Sequence, residues 1–407
     1  MEKWSLDDRD SLALYLHVPF CRHRCTYCDF NTYVGLDDWQ TRYVDALCHE
    51  IVAQGTHFAP AGRRKAAHSI FLGGGTPTRL PADLIGRILE ACAGAFALEA
   101  QAEITVEANP TSVGAPYLES LRTTGVNRLS LGVQSFADEE LALLGRLHDA
   151  ATAREAVAVA REVGFDNISL DLIYGLPGQG LHPWRETLAA ALTLEPEHLS
   201  LYSLGLEPGT PLHDDVVTGR LPWPNPDAAA DQYELAETML ARAGYAHYEI
   251  SNWAREGMRH ASRHNLTYWR NEPYLGLGAG AHSWIAGARF ANRSHPVNYV
   301  RCLEQDASTP SESGFPLSCA AQSASVEQIP MSMEMAETMI LGLRLVAEGV
   351  GDERFHARFG RSLRDVYATQ LSELVALGLL EEATDRVRLT ARGRLLGNEV
   401  FQRFLPD

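Results

Sequence analysis

Short apolar runs alternate with stretches of helical period from Leu12 to Ala243. Leu12–Val18 is the first run, and Pro19 closes it because a ring-locked residue cannot donate to a ladder. Later runs lie at Ser69–Leu72, Glu103–Ala108, Arg128–Ser135, Asn167–Tyr174 and His198–Leu204. Between them, Asp37–Val52 places Trp39, Tyr43, Ala46, Leu47 and Ile51 on one helical face. Pro81–Phe96, Tyr117–Thr124, Asp138–Leu144, Ala150–Val163, Trp184–Leu194 and Pro226–Ala243 read as helices in the same way. Six strands alternating with helices at this spacing predict an α/β fold of parallel strands joined by helical crossovers. The period alone does not separate an open sheet from a partial barrel. Gly74, Glu107, Gln134 and Asp171 stand at or near the C-terminal ends of four different strands. In a barrel those ends share one mouth, where sites are built, so their placement favours the barrel.

The pattern changes near Gly244. Tyr245–Ile250 reads as a strand, Arg255–Tyr268 as polar and aromatic, and the glycine-rich Leu275–Ala281 as a loop. Gln305–Gln328, rich in Ser, Pro and Ala, reads as a linker. Helices at Met331–Val346 and Leu363–Leu377 follow, then a hairpin from Gly378–Glu382 and Arg386–Leu389, then a helix over Thr390–Phe404 capped by Thr390. This is the outline of a small winged-helix-like α+β domain. The expected division is a barrel over 1–245, an extension and linker over 246–325, and a helical or winged domain over 326–407.

Charge changes the meaning of that winged outline. The 407 residues carry a formal net charge of −17, whereas nucleic-acid binding needs a basic footprint. A packing module is therefore the better reading, with no nucleic-acid partner. No run reaches the length of a membrane span, and Met1–Asp10 lacks the apolar centre of a signal peptide. A cytoplasmic protein is expected, one that can reach the inner face of a membrane through a partner or by forming a homodimer. Seven cysteines in a chain of this size do not make a disulfide scaffold. Cys48 and Cys92 fall in helical patterns as small apolar residues, and Cys302 and Cys319 are scattered.

The remaining three cysteines carry the chemistry. Cys21, Cys25 and Cys28 form a C-x3-C-x2-C run on a loop at the exit of the first strand. Three thiolates on one loop need a fourth ligand from elsewhere to close a zinc site. They can also hold three irons of a [4Fe–4S] cluster and leave the fourth iron open. Spacing alone favours the cluster over zinc and over chance proximity. Gly73–Pro77, read G-G-G-T-P, follows a strand and exposes backbone groups to a ligand, although a tight turn has the same composition. Glu107, Gln134, Arg146 and Asp171 suit a small zwitterion carrying a sugar: guanidinium for carboxylate, carboxylate for ammonium, acids or amides for ribose hydroxyls. Each also has a plain alternative as a turn, cap or solvated helix-end residue.

Together these residues resemble the radical S-adenosylmethionine (SAM) superfamily. The strings Y-L-H-V-P-F-C, F-L-G-G-G-T-P-T, V-E-A-N-P, L-S-L-G-V-Q-S-F, L-G-R-L-H and D-L-I-Y-G-L-P-G narrow the resemblance. It is to the group of oxygen-independent coproporphyrinogen III oxidases and HemW-type haem chaperones. That resemblance implies a partial (β/α)6 TIM-like barrel with a cluster on Cys21, Cys25 and Cys28. SAM would chelate the open iron and be contacted from Tyr15, Gly74, Gly75, Thr76, Glu107, Gln134, Arg146 and Asp171. Arg146 would meet its carboxylate, and Asp171 or Gln134 its ribose. Reductive cleavage of SAM to a 5′-deoxyadenosyl radical is the chemistry the cofactors carry.

Two departures separate the branches. The oxidases resemble C-x3-C-x2-C-x-C, whereas Phe30 follows Asp29 here; they also carry a longer segment before the cysteines than the 20 residues preceding Cys21. The string H-N-L-T-Y-W, His264–Trp269, resembles the chaperone branch and its haem binding. The resemblance therefore implies a haem chaperone that delivers haem to haem-accepting proteins, membrane respiratory enzymes among them. An anaerobic coproporphyrinogen III oxidase is the alternative. Imidazole is the usual axial donor to haem iron, which makes His264 the candidate ligand among 15 histidines, His17 and His23 included.

Overall fold

The computed structural model of the chain describes residues 11–59, 62–285, 287–306 and 326–406. Met1–Asp10, most of Gln305–Gln328 and Cys319 lie outside the described residues, and with them the expectations placed there. The rest falls into two compact units, within Met1–Ala236 plus Pro273–Glu327 and within Glu237–Glu272 plus Gln328–Asp407.

In the first unit, strands β1 (Leu12–Val18), β2 (Ala66–Gly74), β3 (Ala97–Ala108), β4 (Arg128–Gln134), β5 (Ile168–Tyr174) and β6 (His198–Ser203) lie side by side in chain order. Every neighbouring pair is parallel. Helices α1 (Gln40–His57), α2 (Ala82–Ala95), α3 (Ala115–Thr123), α4 (Asp138–Leu143), α5 (Ala150–Val163) and α6 (Leu181–Leu192) fill the crossovers. This is the expected partial (β/α)6 barrel. The apolar residues of its strands form the core: Leu12, Leu14, Leu16, Ile70, Leu72, Val106, Leu129, Leu131, Leu170 and Leu199 are inaccessible to solvent. Helices cover one face of each strand and the barrel interior covers the other, which is why the runs read as continuously apolar.

The free edge of β1 is covered by Tyr274–Leu277, a parallel strand that continues into the antiparallel strands His282–Ile285 and Ala288–Ala291. This corrects the reading of Leu275–Ala281 as loop for residues 275–277, while 278–281 turn as expected. A β-carbon at Gly276 would lie 2.0 Å from the carbonyl oxygen of His282. The glycine marks a close approach of two strands, where composition had pointed to a turn.

The second unit holds the antiparallel pair Tyr245–Glu249 and Asn252–Arg255, the short helix Arg263–Trp269, and the winged-helix-like C-terminal domain. That domain has helices Met331–Gly342, Asp352–Phe359 and Leu363–Ala376 and the hairpin Leu380–Ala383 with Arg386–Leu389. Met335, Leu343, Phe355, Phe359, Tyr367, Leu371, Leu389 and Phe401 form its core. Ser362 caps Leu363–Ala376 in a reciprocal box with Asp365. Thr390 caps its helix as expected, accepting from Gly393 N, but that helix is three pieces: Ala391–Leu395, Gly397–Phe401 and a 3-10 turn at Gln402–Phe404. Among the described residues no helix is long and apolar enough to cross a membrane.

Candidate functional site

The cysteine loop leaves β1 at Pro19 and is fixed at several points. Gly75 N donates to Val18 O at 2.9 Å and Thr76 N to Phe20 O at 2.9 Å, so the glycine loop after β2 lies against the start of the cysteine loop. Further on, Thr26 N donates to Leu144 O, Thr26 Oγ1 to Leu143 O, and Leu212 N to Thr26 O. Asn31 Nδ2 donates to Ala279 O at 3.0 Å and to Ser294 O at 2.9 Å. The three thiols are half-buried and free of disulfides. Burial pushes the Cys21 thiol up, opposed by the Thr76 hydroxyl; burial raises Cys28 likewise, opposed by the backbone at Phe30. Among the described residues no three His, Cys, Asp or Glu side chains converge on a point that would hold a single ion. A cubane asks for something else, one thiolate on each of three separate irons.

A ring of polar contacts runs from one cysteine to another. Cys21 Sγ lies 3.6 Å from Thr76 Oγ1, which accepts from Asn109 Nδ2 at 2.9 Å. Arg146 Nη2 donates to Asn109 Oδ1 and, at 2.7 Å, to Gly132 O, while Arg146 Nη1 reaches Cys25 Sγ at 3.3 Å. Asn109 is not among the residues picked out from the sequence; its place in V-E-A-N-P after β3 is the signal that marks it. Gln134 joins the group with a left-handed φ of 70°, a strained conformation for a side-chain-bearing residue and one that clusters at functional sites. An open cavity of about 160 Å³ lies beside this ring; Arg22, Arg79 and Arg146 give it a basic wall, and His23 and His148 line it as well. Burial, with the Arg146 cation beside it, pulls His148 down to about 4, so its imidazole is neutral at pH 7.

A second group sits on the adjoining strand ends. Gly74 N donates to Glu107 Oε2 at 3.1 Å. Gly74 has φ +112°, and a β-carbon there would lie 2.4 Å from the His17 ring. His17 in turn is locked, with Nδ1 at 3.0 Å from the Tyr15 hydroxyl and Nε2 at 2.9 Å from Asn31 O. Burial and the nearby Asp171 carboxylate push Glu107 up to about 7, and the buried Arg128 opposes the shift. Asp171 accepts from Ser130 Oγ at 3.1 Å and is raised by burial. It stands mid-strand in β5, deeper than the strand end where the pattern had put it.

The donor set fits the groups expected of it on two observations. Three soft thiols on a clamped loop suit iron–sulfur ligation. The Nε of Arg146 is buried without a hydrogen-bond partner, a donor left for a carboxylate. His264 belongs to the other compact unit. It lies on Arg263–Trp269, is 1 % exposed, and has Nε2 2.8 Å from the Tyr268 hydroxyl.

The family model described as the radical SAM superfamily matches residues 15–191, and the HemN C-terminal domain model matches 333–396. The heme chaperone HemW of Bacillus subtilis is 40% identical over 402 residues, 97% of this chain and 99% of the relative. This chain belongs to the HemW family. A HemW of Mycobacterium tuberculosis is 36% identical over 97% of this chain and 94% of its own. The coproporphyrinogen III oxidase HemN of Escherichia coli, a radical SAM enzyme, superposes with a TM-score of 0.80 at 26% identity, covering 98% of this chain and 91% of that one. The HemW family thus shares its barrel and C-terminal domain with that oxidase. Membership of the radical SAM superfamily implies a [4Fe–4S] cluster and SAM as cofactors.

Proposed function

We propose that this chain is a haem chaperone: it binds haem and hands it to haem-accepting proteins. The observation that carries the reading is likeness to heme chaperones over nearly the whole length of both chains. Phe30 agrees with it. The ring stands where the oxidase pattern has a further thiol, and it is 64% exposed. Acceptors at a membrane and a homodimeric state belong to the same proposal.

In this reading Cys21, Cys25 and Cys28 hold three irons, and SAM lies along Tyr15, Gly74, Gly75, Thr76, Glu107, Gln134, Arg146 and Asp171. Bound there, the two cofactors would supply one-electron cleavage chemistry. The chain's own work is positional. Arg146 offers its unpartnered Nε to a carboxylate and ties that contact to the Cys25 thiol. Glu107, near 7, can accept from an ammonium or hydroxyl and hold a proton otherwise. Asp171, braced by Ser130, suits ribose hydroxyls. His264 would ligate the haem iron, through Nδ1 or through an Nε2 released from the Tyr268 hydroxyl.

The shared architecture with HemN favours a second reading, an oxygen-independent coproporphyrinogen III oxidase. Anaerobic incubation with SAM, reductant and coproporphyrinogen III, beside a Soret-band haem titration, separates the two. The chaperone reading expects saturable haem binding and no sustained formation of protoporphyrinogen; turnover would sink it. His264→Ala is expected to weaken haem binding and leave iron content unchanged, and unaltered affinity removes His264 from the proposal.

A further inference from the structure

The second unit contains a cation with no counter-ion. Arg344 is half-buried, and its guanidinium makes no hydrogen bond or ion pair among the described residues; its Nε is fully enclosed. Two aromatic rings hold the group, Phe401 with its centroid at 4.7 Å and Trp269 at 5.3 Å. The acid whose charge bears on it is Glu249, which already accepts from Ser251 N and Asn252 Nδ2 and which burial pushes up to about 7. Burial itself pulls Arg344 below the ordinary range for arginine. A partly desolvated guanidinium left unpaired is costly.

Arg344 opens on a cavity of about 330 Å³. Ile250, Leu395, Leu396 and Phe401 give the cavity an apolar wall, and both leucines are 40% exposed. A second cation, Arg394, lines it; one end pairs with Glu237 at 2.8 Å, while its Nε is buried without a partner. Glu399, the acid in the wall, is engaged by Gln402 Nε2 at 2.7 Å. A planar fork with apolar surroundings matches a carboxylate carried on a flat apolar body. Trp269, which stacks on Arg344, is the last residue of the helix that carries His264.

We infer that Arg344, supported by Arg394, binds a propionate of haem in this cavity, with the adjoining pyrrole edge against Leu395, Leu396 and Phe401. The inference rests on the haem reading above and adds the groups that hold the carboxylate. Haem is larger than the cavity, so only its propionate-bearing edge would enter.

The test is a Soret titration of the full-length protein with haem and with haem dimethyl ester, which has the same ring and no carboxylate. For the unaltered protein, haem is expected to bind about tenfold more tightly than the ester, the scale of one lost charge-assisted contact. Arg344→Met is expected to weaken haem binding by about the same factor and leave ester binding unchanged, with Arg344→Lys between. Equal binding of acid and ester overturns the inference while leaving the haem reading in place, and so does Arg344→Met binding haem as the unaltered protein does. If the methionine variant does not fold, the acid–ester comparison decides alone. Absence of saturable binding of either ligand overturns the haem reading, and this inference with it.

Discussion

Single residues set the sharpest limits on the site. Gly74 combines a left-handed φ with contact to the His17 ring, so Gly74→Ala must both strain the backbone and displace a histidine hydrogen-bonded on both ring nitrogens. A loss of about 2–3 kcal/mol in denaturant unfolding is expected. Glu249 gives a test by pH. Its carboxyl titrates near 7 in the fold against about 4.5 ordinarily. Between those values the folded protein holds a proton that the unfolded chain releases, so stability falls as pH rises through the window. Burial of the group, 1% exposed, makes the effect as large as about 3 kcal/mol. Glu249→Gln, which mimics the protonated form, should flatten the profile between pH 4.5 and 7; an unaltered slope in urea midpoints would refute the assignment. At this scale most of the candidate site was legible, because the cysteines, Glu107, Gln134 and Arg146 are residue types that ask for partners. Asn109 and Arg128 were missed for the opposite reason. An asparagine before proline reads as a turn, and an arginine opening a strand reads as solvated until the neighbouring carboxylates are seen.

Elements were legible where one period ran unbroken. The strands of the barrel are buried in apolar runs broken by a few polar residues, and their crossover helices each bury one stripe, so local pattern and tertiary environment agree. Two elements were misread where they do not agree. Gly276 lies in a strand because a neighbouring carbonyl occupies the place of its side chain, and no periodicity records that. Gly276→Ala is expected to cost about 2–3 kcal/mol through overpacking, read as a lowered unfolding midpoint. Past Thr390 the apolar spacing continues, yet Leu396 leaves the helix at φ −111°, ψ 29° and the element breaks there. At Ser362 the sequence and the structure agree, and Ser362→Ala should destabilise the C-terminal domain by about 1 kcal/mol through loss of its cap.

At the scale of the molecule, the proposed cluster ligands and the proposed haem contacts fall in different compact units. The thiols belong to one compact unit; His264 and Arg344 belong to the other. Replacing Cys21, Cys25 and Cys28 together by alanine is expected to abolish bound iron and the broad visible absorbance of a reconstituted cluster. Haem titration should then remain within about twofold of the unaltered protein, since a factor that small is well under 1 kcal/mol. Loss of haem binding in that variant would show that the cargo depends on the cluster. Along the sequence the units alternate, with residues 237–272 grouped with 328–407 and the segment between grouped with the barrel. Local pattern carries no signal for this, because the contacts that join distant segments do not alter the period within either one.

The anchoring of Asn31 to Ala279 and Ser294 bears on when the cluster loop is finished during synthesis. A ribosome emits the three cysteines early, but the carbonyls that hold the end of their loop emerge some 248 and 263 residues after Asn31. Chains still being translated therefore present loose thiols, open to stray metal and oxidant. The clamped form waits until the strand beside β1 has been made, so the cluster proposed for these thiols would be loaded late in the life of each molecule.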